Sequence, residues 1–353
     1  MMAMLFLLLF ELSIIFGFLL DLLLADPEKL PHPVVIIGKG ITFLEKHLRQ
    51  IFPETQQGRR TAGAVMAALI PVTTFIVTVG ACILAWIIHP IVFFLLHTLW
   101  CWQAVAIRGL AKEAKNVYRC LTMDDGGPEA DATEPGPEAD AAGAGDPDWL
   151  IAARKAVGRI VGRDTQALDK AGVTRAAVET VAENYSDGVI APYFYMMIGG
   201  APLALTYKSV NTMDSMVGYK NETYIDFGRV PAHLDDAAGY IPARLGALLW
   251  ICAAALTGRS AKGAWKIWRR DNRNHASPNS AQTESACAGA LGVQLAGPAY
   301  YFGEFYDKPT IGDPLRPIEP QDILRTNRMM YAASILSVLL AMAVSTGLLL
   351  AFV

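Results

Sequence analysis

Two carboxylates stand directly before a long uncharged run in "AENYSDGVIAPYFYMMIGGAP", residues 182–202. They are Glu183 and Asp187. Carboxylate oxygens are the ligands that Mg²⁺ prefers, and the same groups transfer protons in catalysis. The pattern therefore indicates a metal site or an acid–base site. Solvated carboxylates at a helix end would give the same spacing, so the spacing alone leaves both interpretations open.

The stretch "VTRAAVETVAEN" predicts the helix that positions Glu183. Thr174 is its expected N-cap, and Glu179 lies one turn before Glu183 on the same face. Residues 184–188, "NYSDG", predict the end of this helix and a turn. Glu183 would then come from a helix end and Asp187 from the turn that follows it.

A second polar group lies in "GGAPLALTYKSVNTMDSMVGYKNE", residues 199–222. A helix that begins near Pro202 has a polar face opposite an apolar stripe; the face is Lys208, Asn211, Thr212 and Ser215, and the stripe is Leu203, Val210, Met213 and Val217. Lys208 is a candidate phosphate ligand, and Asp214 and Glu222 are candidate metal ligands or proton carriers. A surface helix also fits, although exposed faces are usually richer in Lys and Glu.

A third group, "FGRVPAHLDDAAGYIPARL", contains the paired carboxylates Asp235 and Asp236 and, further on, Arg244. Adjacent carboxylates with a nearby guanidinium can form a metal and anion site. Arg244 could equally be an ordinary ion-pair partner at a helix start. We interpret the lone His233 as structural.

The fourth group is "RRDNRNHASPNSAQTESACAGALGVQLAG", where Ser277 as N-cap and Pro278 as first helical residue predict a helix whose free amides can bind an anion. Its small residues would let another helix or a flat ligand approach closely. A close-packed helix pair explains the small residues, but not the polar residues that gather at one end, which are Asp271, His275, Asn279 and Glu284.

Several familiar sites are absent from the sequence. It contains no G-x-x-x-x-G-K-[ST], G-x-S-x-G or H-E-x-x-H motif, so any nucleotide site is not a P-loop. The five cysteines form no CxxC or Cys/His metal spacing, and we expect buried, reduced thiols. No basic stripe with interleaved aromatics occurs, which excludes nucleic acid as a partner.

The composition is that of a membrane protein, with 53% hydrophobic and 18% charged residues. Residues 1–24 and 329–353 are apolar enough to span a bilayer, and residues 61–107 contain no Lys, Arg, Asp or Glu. The His89-Pro90 pair near the middle of 61–107 predicts two helices joined by a tight turn. We therefore expect about four spans.

The charge distribution predicts how these spans are oriented. Every Lys and Arg lies between Lys29 and Arg328, so both termini and the His89-Pro90 turn are expected outside and the basic segments in the cytoplasm. Residues 188–207 contain Gly and Pro, and 245–257 is short for a span. We expect broken or peripheral helices there, which would keep the polar segment between them on the cytoplasmic side.

The expected fold is all-α: a polytopic integral membrane protein whose broken or amphipathic helices form a polar cleft facing the cytoplasm. Four regions follow, namely 1–122 with three spans and a cytoplasmic loop at 25–60, a disordered acidic insertion at 123–147, a catalytic region at 148–328, and a C-terminal span at 329–353. The four expected spans carry only Glu11 and Asp21 as charges. This favours a membrane-anchored enzyme over a transporter or a regulatory membrane protein.

Five ordered blocks also resemble a known family. They are "DPEKLPHPVVIIGKGITFLE" (26–45), "VAENYSDGVIAPYFYMMIGGAP" (181–202), "TYKSVNTMDSMVGYKN" (206–221), "LDD…YIPARL" (234–245) and "HASPNS…AGALGVQLAGPAYYFGE" (275–304). Together they are similar to adenosylcobinamide-phosphate synthase, the membrane-bound cobalamin-biosynthesis family called CbiB or CobD. The acidic insertion is foreign to this pattern.

The resemblance implies a ligase that uses ATP and Mg²⁺. Such an enzyme joins the carboxylate of adenosylcobyric acid to the amine of aminopropanol phosphate or a related amino alcohol, through an acyl phosphate or an acyl adenylate. It implies a multi-pass protein of the cytoplasmic membrane, in contact with lipid, whose active site faces the cytoplasm. Further copies of the chain or later membrane enzymes of the pathway are its expected protein partners.

With this resemblance, the polar residues receive expected roles. Metal binding or proton transfer falls to Glu183, Asp187 and Asp214, with Asp235 and Asp236 as further metal ligands. Lys208, Lys220 and Arg244 would bind phosphates, and Lys208 would also act in catalysis. His275 would act in catalysis and, with Ser277 and Asn279, bind the amino-alcohol phosphate, while Asn184 and Asn211 would assist cofactor binding. The corrinoid would lie against the small-residue helix at 286–297.

Overall fold

A computed structural model describes residues 2–24, 30–123, 146–301 and 303–351. Most of the predicted acidic insertion at 123–147 lies outside the described residues. The chain forms two compact units: the first contains Met1–Arg108, Asp187–Ala243 and Ile335–Val353, and the second contains Gly109–Ser186 and Arg244–Ser334. Both units are therefore assembled from segments that are distant in sequence.

The described residues are mostly helical, as predicted. In chain order, the elements are α1 (Met2–Leu24), α2 (Pro33–Ile51), α3 (Gln56–Ile88), α4 (Pro90–Ala104), α5 (Ile107–Leu121), α6 (Asp148–Gly158), α7 (Lys170–Tyr185), a π-helical segment (Ser186–Ile190), α8 (Ala191–Val217), α9 (Arg229–Leu256), α10 (Ala261–Asp271), α11 (Ser280–Leu291), β1 (Leu295–Ala296), β2 (Ala299–Tyr301), β3 (Glu304–Tyr306), β4 (Thr310–Ile311) and α12 (Gln321–Ala351). The four short strands were not predicted.

The core of the first unit confirms the apolar stripe predicted for residues 203–217. Val210, Met213 and Val217 on α8 are buried together with Ile41 of α2 and Met66 of α3. Helix α2 lies within the predicted loop at 25–60, and its apolar face closes this core because an amphipathic helix is stabilised by burying that face.

The tight turn predicted at His89 is confirmed. Helix α3 ends and α4 begins at His89, whose backbone is extended and whose Nδ1 accepts the N–H of Ile91. Pro90 as first residue of α4 leaves no amide unsatisfied. A local signal, His followed by Pro, is sufficient to separate the two helices.

Among the described residues, six helical stretches are long and apolar enough to cross a membrane. They are Met2–Leu24, Gln56–Ile88, Pro90–Leu121, Lys170–Val217, Arg229–Leu256 and Gln321–Ala351. The chain is thus an all-α, multi-pass membrane protein. Four of them are the predicted spans. The other two, Lys170–Val217 and Arg229–Leu256, qualify by length and composition and contain charged residues that interrupt the uncharged runs in the sequence.

The two additional stretches correct two expectations. The apolar piece at 245–257 is the end of the 28-residue helix α9 rather than a short peripheral helix. The charges are also not confined to segments outside candidate spans, since Asp187 and Asp214 lie in Lys170–Val217 and Asp235 lies in Arg229–Leu256. The argument that disfavoured a transporter therefore loses this support.

The predicted break near Pro202 is confirmed as a kink within α8. Gly199 and Gly200 leave helical geometry, and Gly200 has φ +65°. The Nε2 of the buried His97 accepts the free backbone N–H of Ala201 at 3.0 Å. This hydrogen bond satisfies an amide that the kink would otherwise leave unpaired in an apolar environment.

In the second unit, every residue of α11 is buried. A Cβ atom on Gly289 would lie 2.3 Å from the carbonyl oxygen of Gly263 on α10, so the two helix backbones are in direct contact. The small residues therefore serve helix packing. The expectation of a corrinoid against 286–297 is wrong for the helical part of this stretch, because α11 has no exposed face to receive a flat ligand.

Two predicted N-caps were also wrong. Helix α7 begins at Lys170, where the Asp169 carboxylate accepts the N–H of Gly172, and Thr174 is buried inside the helix. Helix α11 begins at Ser280, after Asn279, rather than directly after Ser277. In both cases a neighbouring polar residue competes for the same cap, and tertiary packing decides between them.

The contact between α3 and the backbone at Phe227 gives a test of the first unit. A Cβ on Gly63 would lie 1.9 Å from the Phe227 carbonyl oxygen, so Gly63→Ala should destabilise the protein by about 1–3 kcal/mol through overpacking. Thermal unfolding in detergent measures this. Gly80→Ala in the same helix is the control, since no atom lies within 4 Å of its Cβ. Equal melting temperatures for Gly63→Ala and the parent would contradict the packing.

Candidate functional site

Among the described residues, many of the predicted site residues lie in two clusters, one in each unit. The first, here called the aspartate cluster, consists of Asp187, Asp214, Asp235 and Asp236 in the first unit. The carboxylates of Asp187, Asp214 and Asp236 lie close enough to repel that of Asp235. The π-helical segment carries Asp187, α8 carries Asp214, and α9 carries the adjacent pair. Three consecutive helical elements thus bring together the carboxylates that the sequence singled out.

Neighbouring side chains orient two of these carboxylates. The Tyr207 hydroxyl donates to Asp187 Oδ1 at 3.2 Å, and Asn211 Nδ2 donates to Asp235 Oδ1 at 3.4 Å. The buried Tyr207 ring stacks on Tyr195 with centroids 5.1 Å apart. The sequence indicated no role for either tyrosine. An aromatic residue on an apolar helix gives the same pattern whether it lines a functional site or packs in the core.

The two lysines predicted in the first unit differ in burial. Lys208 is half-buried on α8, whereas Lys220 is exposed in the segment between α8 and α9. The Asp214 carboxylate lies against Gly218, where a Cβ would stand 2.0 Å from Oδ1. Glycine at 218 is therefore required for this carboxylate position.

The second cluster is Glu183, His275 and Glu284 in the second unit, here called the Glu–His–Glu triad. One ligand atom from each residue lies within 4.8 Å of the others. Glu183 stands at the end of α7, His275 in the segment before α11, and Glu284 on α11 itself. The triad contains two residues predicted to act in the site, and a third that the sequence placed only in a polar group.

Hydrogen bonds hold two members of the triad in place. Ser280 Oγ donates to Glu183 Oε1 at 2.8 Å, and His275 Nδ1 accepts the backbone N–H of Ser277 at 3.1 Å. Ser277 Oγ in turn accepts the N–H of Asn279 at 3.3 Å. The segment before α11 therefore orients the imidazole instead of capping the helix with Ser277.

Glu284 differs from the other two members. It is only 3% exposed, and the hydrogen bonds and ion pairs of the described residues include none to its carboxylate. Burial raises the pKa of Glu284 well above its usual range, and repulsion from Glu183 adds to the rise, whereas Arg163 and Lys308 oppose it. A buried carboxylate without a protein partner is costly unless a proton or a cation accompanies it.

Arg163 supplies the nearest fixed positive charge. It forms an ion pair with Glu179, whose carboxylate also accepts the N–H of Ala296 at 2.5 Å. Ala296 is the single non-glycine residue with positive φ among those the structure describes, at 57°. Burial lowers the pKa of Arg163, but a guanidinium remains charged in proteins.

Other cations and amides surround the start of α11. Lys308 Nζ donates to the Tyr301 hydroxyl at 2.5 Å, and Arg244 Nη1 approaches Asn279 Oδ1 at 3.5 Å. Asn279 is buried and makes no side-chain cap bond to α11. These cations can balance carboxylates or receive an anionic substrate.

The predicted turn at 184–188 is wrong. Helix α7 runs to Tyr185 and continues through the π-helical segment into α8. Asn184 is therefore helical, and its Nδ2 donates to the Thr180 carbonyl at 2.9 Å. π-Helical turns are rare and frequently lie at functional sites, so the polar residues "SDG" here break helix regularity without ending the helix.

The structure thus divides the predicted site residues between the two units. The first unit holds Asp187, Lys208, Asn211, Asp214, Lys220, Asp235 and Asp236; the second holds Glu183, Asn184, Arg244, His275, Ser277 and Asn279. Arg163 and Lys308 were missed. Neither belongs to a local pattern, and only the fold brings them near Glu284.

The Arg163–Glu179 pair gives a test of the second unit. Its side chains are 15% and 6% exposed, so Arg163→Gln leaves a buried carboxylate unpaired and should cost about 3–5 kcal/mol in the free energy of unfolding. Thermal unfolding in detergent measures the loss. The double variant Arg163→Gln/Glu179→Gln should lose less stability than the sum of the losses in the two single variants.

A matched control is the Arg159–Glu113 pair, whose side chains are 48% and 35% exposed. Arg159→Gln should cost no more than about 1 kcal/mol, because surface ion pairs contribute little. Equal losses from Arg159→Gln and Arg163→Gln would contradict a buried, structurally important pair.

Comparison with known proteins identifies the family. The model of the CobD/Cbib protein family matches residues 14–133 and 138–330. The cobalamin biosynthesis protein CobD of Geobacter metallireducens is 48% identical over 328 residues, which cover 93% of this chain and 94% of that protein. The proteins CobD of Clostridium perfringens and CbiB of Salmonella typhimurium are 41% and 43% identical over 332 residues, which cover 94% of this chain and 97% and 96% of those proteins.

No solved structure matches the chain. The family match covers most of the sequence, including every residue of the aspartate cluster and of the Glu–His–Glu triad. The chain therefore belongs to the CobD/CbiB protein family.

Proposed function

We propose that this protein is a cobalamin-biosynthesis ligase that uses ATP to join the carboxylate of adenosylcobyric acid to the amine of aminopropanol phosphate or a related amino alcohol. Relatives that cover almost the whole chain are named cobalamin biosynthesis proteins. The resemblance to adenosylcobinamide-phosphate synthase supplies the reaction.

The observation that carries the proposal is the aspartate cluster. Four carboxylates within candidate membrane spans repel one another, which costs free energy unless a cation offsets the charge. All the donor atoms are oxygens, and Mg²⁺ prefers oxygen ligands and commonly shares them with nucleotide phosphates. Among the described residues, no three of these aspartates bring ligand atoms within 4.8 Å of one another, so the cluster fits an Mg²⁺ held by one or two carboxylates together with nucleotide phosphates. When bound, Mg²⁺ would neutralise charge on the transferred phosphoryl group.

The reaction requires activation of a carboxylate, which is a poor electrophile. Transfer of the γ-phosphoryl group of ATP to the carboxylate oxygen gives an acyl phosphate and ADP. The amine then attacks the acyl carbon, a C–N bond forms, and inorganic phosphate leaves with the C–O bonding electrons. A base must take the proton that the nitrogen loses.

This chain's residues can meet each requirement. In the first unit, one or two of Asp187, Asp214, Asp235 and Asp236 would hold Mg²⁺ with ATP phosphates, whose charge Lys208 and Lys220 would help to neutralise. In the second unit, Arg244 has the chemistry to bind a phosphate group. Where Glu183 and His275 bind no metal ion, they have the chemistry to take the amine proton. The amides of Asn184, Asn211 and Asn279 and the Ser277 hydroxyl would orient bound groups by hydrogen bonding.

A transporter is the second candidate, because charges within candidate spans are costly and often mark a transport path. The two functions differ in their products. A transporter leaves its substrate unchanged, whereas the ligase forms an amide and consumes ATP.

The first test is a product assay on detergent-purified protein with adenosylcobyric acid, Mg·ATP and either aminopropanol phosphate or aminopropanol. We expect an amide product by mass spectrometry, with ADP in equal amount. AMP in place of ADP would replace the acyl phosphate with an acyl adenylate. Folded protein that gives no amide with either amine would contradict the ligase proposal.

Variants of the aspartate cluster test the proposed role of Mg²⁺. Asp235→Asn and Asp214→Asn should each lower kcat by about 100-fold or more, because an amide replaces a charged metal ligand. Glu113→Gln, which changes a surface carboxylate, should leave kcat unchanged. Wild-type activity in both aspartate variants would remove the cluster from the mechanism.

We also propose that the segment between α8 and α9 faces the cytoplasm and that both termini lie outside. Lys220 lies in this segment and Arg229 follows it, whereas residues 1–28 and 329–353 contain no Lys or Arg. In a Cys252→Ser background, the exposed Glu222→Cys should resist a membrane-impermeant maleimide in intact cells, whereas a cysteine added after Val353 should react. Labelling of Glu222→Cys in intact cells would instead indicate that α8 and α9 cross the membrane as a hairpin.

A further inference from the structure

We propose that the Glu–His–Glu triad binds one divalent transition-metal cation, with Glu183, His275 and Glu284 as its protein ligands. This cation differs from the Mg²⁺ of the nucleotide, which is assigned to the aspartate cluster. The proposal does not depend on the ligase reaction, since binding is measured without ATP or either organic substrate.

The geometry provides the first argument. Three ligand atoms within 4.8 Å of one another can all reach a central ion at the usual bond lengths of about 2.0–2.2 Å. They come from three separate segments: the end of α7, the segment before α11, and α11 itself. A chance group of surface carboxylates would be exposed, whereas Glu183 and His275 are half-buried and Glu284 is buried.

The unpaired carboxylate of Glu284 provides the second argument. It points into the triad at 3% exposure, and the described residues offer it no hydrogen bond or ion pair. Arg163 is committed to Glu179, and Lys308 to the Tyr301 hydroxyl. A metal cation would supply the opposite charge that buried carboxylates need.

The donor set determines the class of metal. Two carboxylate oxygens and an imidazole nitrogen suit Mn²⁺, Zn²⁺ or Fe²⁺, whereas Mg²⁺ favours oxygen ligands alone. The Ser277 N–H donates to His275 Nδ1 and holds the imidazole in place. A neutral imidazole has one unprotonated nitrogen, so a cation bound at either ring nitrogen replaces the hydrogen bond from Ser277.

Three protein ligands leave coordination positions open. Structural zinc sites are closed by four protein ligands, whereas sites with three can admit water or a substrate oxygen. The triad therefore has the form of a site that can bind a carboxylate, phosphate or carbonyl oxygen.

The test is a Mn²⁺ titration of the metal-depleted, detergent-purified full chain, followed by electron paramagnetic resonance and without nucleotide. We expect Mn²⁺ to bind, and Mg²⁺ to displace it only at a Mg²⁺ concentration at least about ten times that of Mn²⁺. Electron spin-echo modulation from ¹⁴N should reveal the imidazole nitrogen. This signal is read from the unmodified protein and needs no variant to fold.

Variants assign the ligands. Glu284→Gln and His275→Gln should each weaken Mn²⁺ binding at this site by at least about 100-fold, more than the loss of an outer hydrogen bond. His47→Gln, which changes an exposed histidine, and Asp235→Asn, which changes the aspartate cluster, should retain the ¹⁴N-coupled Mn²⁺.

Two results would overturn the proposal. One is Mn²⁺ binding without ¹⁴N modulation and unchanged in Glu284→Gln. The other is no binding by folded wild-type protein, which would mean that the triad shares a proton instead of a metal. A negative ligase assay has no bearing on either result.

Discussion

The burial of carboxylates among apolar helices is the constraint on which the rest of this structure depends. A charge removed from water must be paired or hydrogen-bonded, and for several buried carboxylates of this protein a nearby group meets that requirement. In the first unit, Asp21 accepts the backbone N–H groups of Ile107 and Arg108, both at 3.1 Å, and thereby satisfies amides at the start of α5. Glu11 accepts the Ser345 hydroxyl at 2.7 Å. The charges in the first span are therefore structural.

The same rule distinguishes structural from functional carboxylates in the second unit. Glu179 has Arg163 and the Ala296 amide, and these two contacts hold Ala296 in a backbone conformation that non-glycine residues rarely adopt. Glu284 has no such partner among the described residues. The contrast between two buried glutamates in one unit is the clearest physical indication of where a ligand belongs.

Local sequence signals predicted the parts of the fold that depend on local chemistry. The His89-Pro90 turn and the apolar stripe of α8 followed from residues adjacent in sequence or on one helix face. The N-caps of α7 and α11 did not, because several neighbouring polar residues could cap and only packing selects one. Lys170–Val217 and Arg229–Leu256 were not predicted as confident spans for a related reason: charged residues interrupt their apolar runs in the sequence.

The functional site, like the fold, was predictable only where it depends on local sequence. The four aspartates and Glu183 were chosen from spacing and resemblance, but their separation into two clusters required the fold. Glu284 is buried because the whole of α11 is buried. Helix α11 in turn packs closely on α10 through the direct backbone contact between Gly263 and Gly289. The small residues that suggested a flat ligand instead bring a helix close enough to bury its carboxylate.

Breaks in helix regularity explain how a mostly apolar stretch can carry these polar groups. The π-helical segment Ser186–Ile190 follows Glu183 and contains Asp187, and the kink at Gly199 and Gly200 precedes the polar face of α8. Each break frees backbone amides, which are tolerated in an apolar environment only where another group receives them.

At the kink, His97 Nε2 accepts the Ala201 N–H, so the imidazole proton lies on Nδ1, which donates to Ser13 Oγ at 2.5 Å. The Ser13 hydroxyl donates in turn to the Phe10 carbonyl at 2.6 Å. This chain of hydrogen bonds fixes the kink, and the kink allows α8 to pass from an apolar segment to the face that carries Lys208, Asn211 and Asp214.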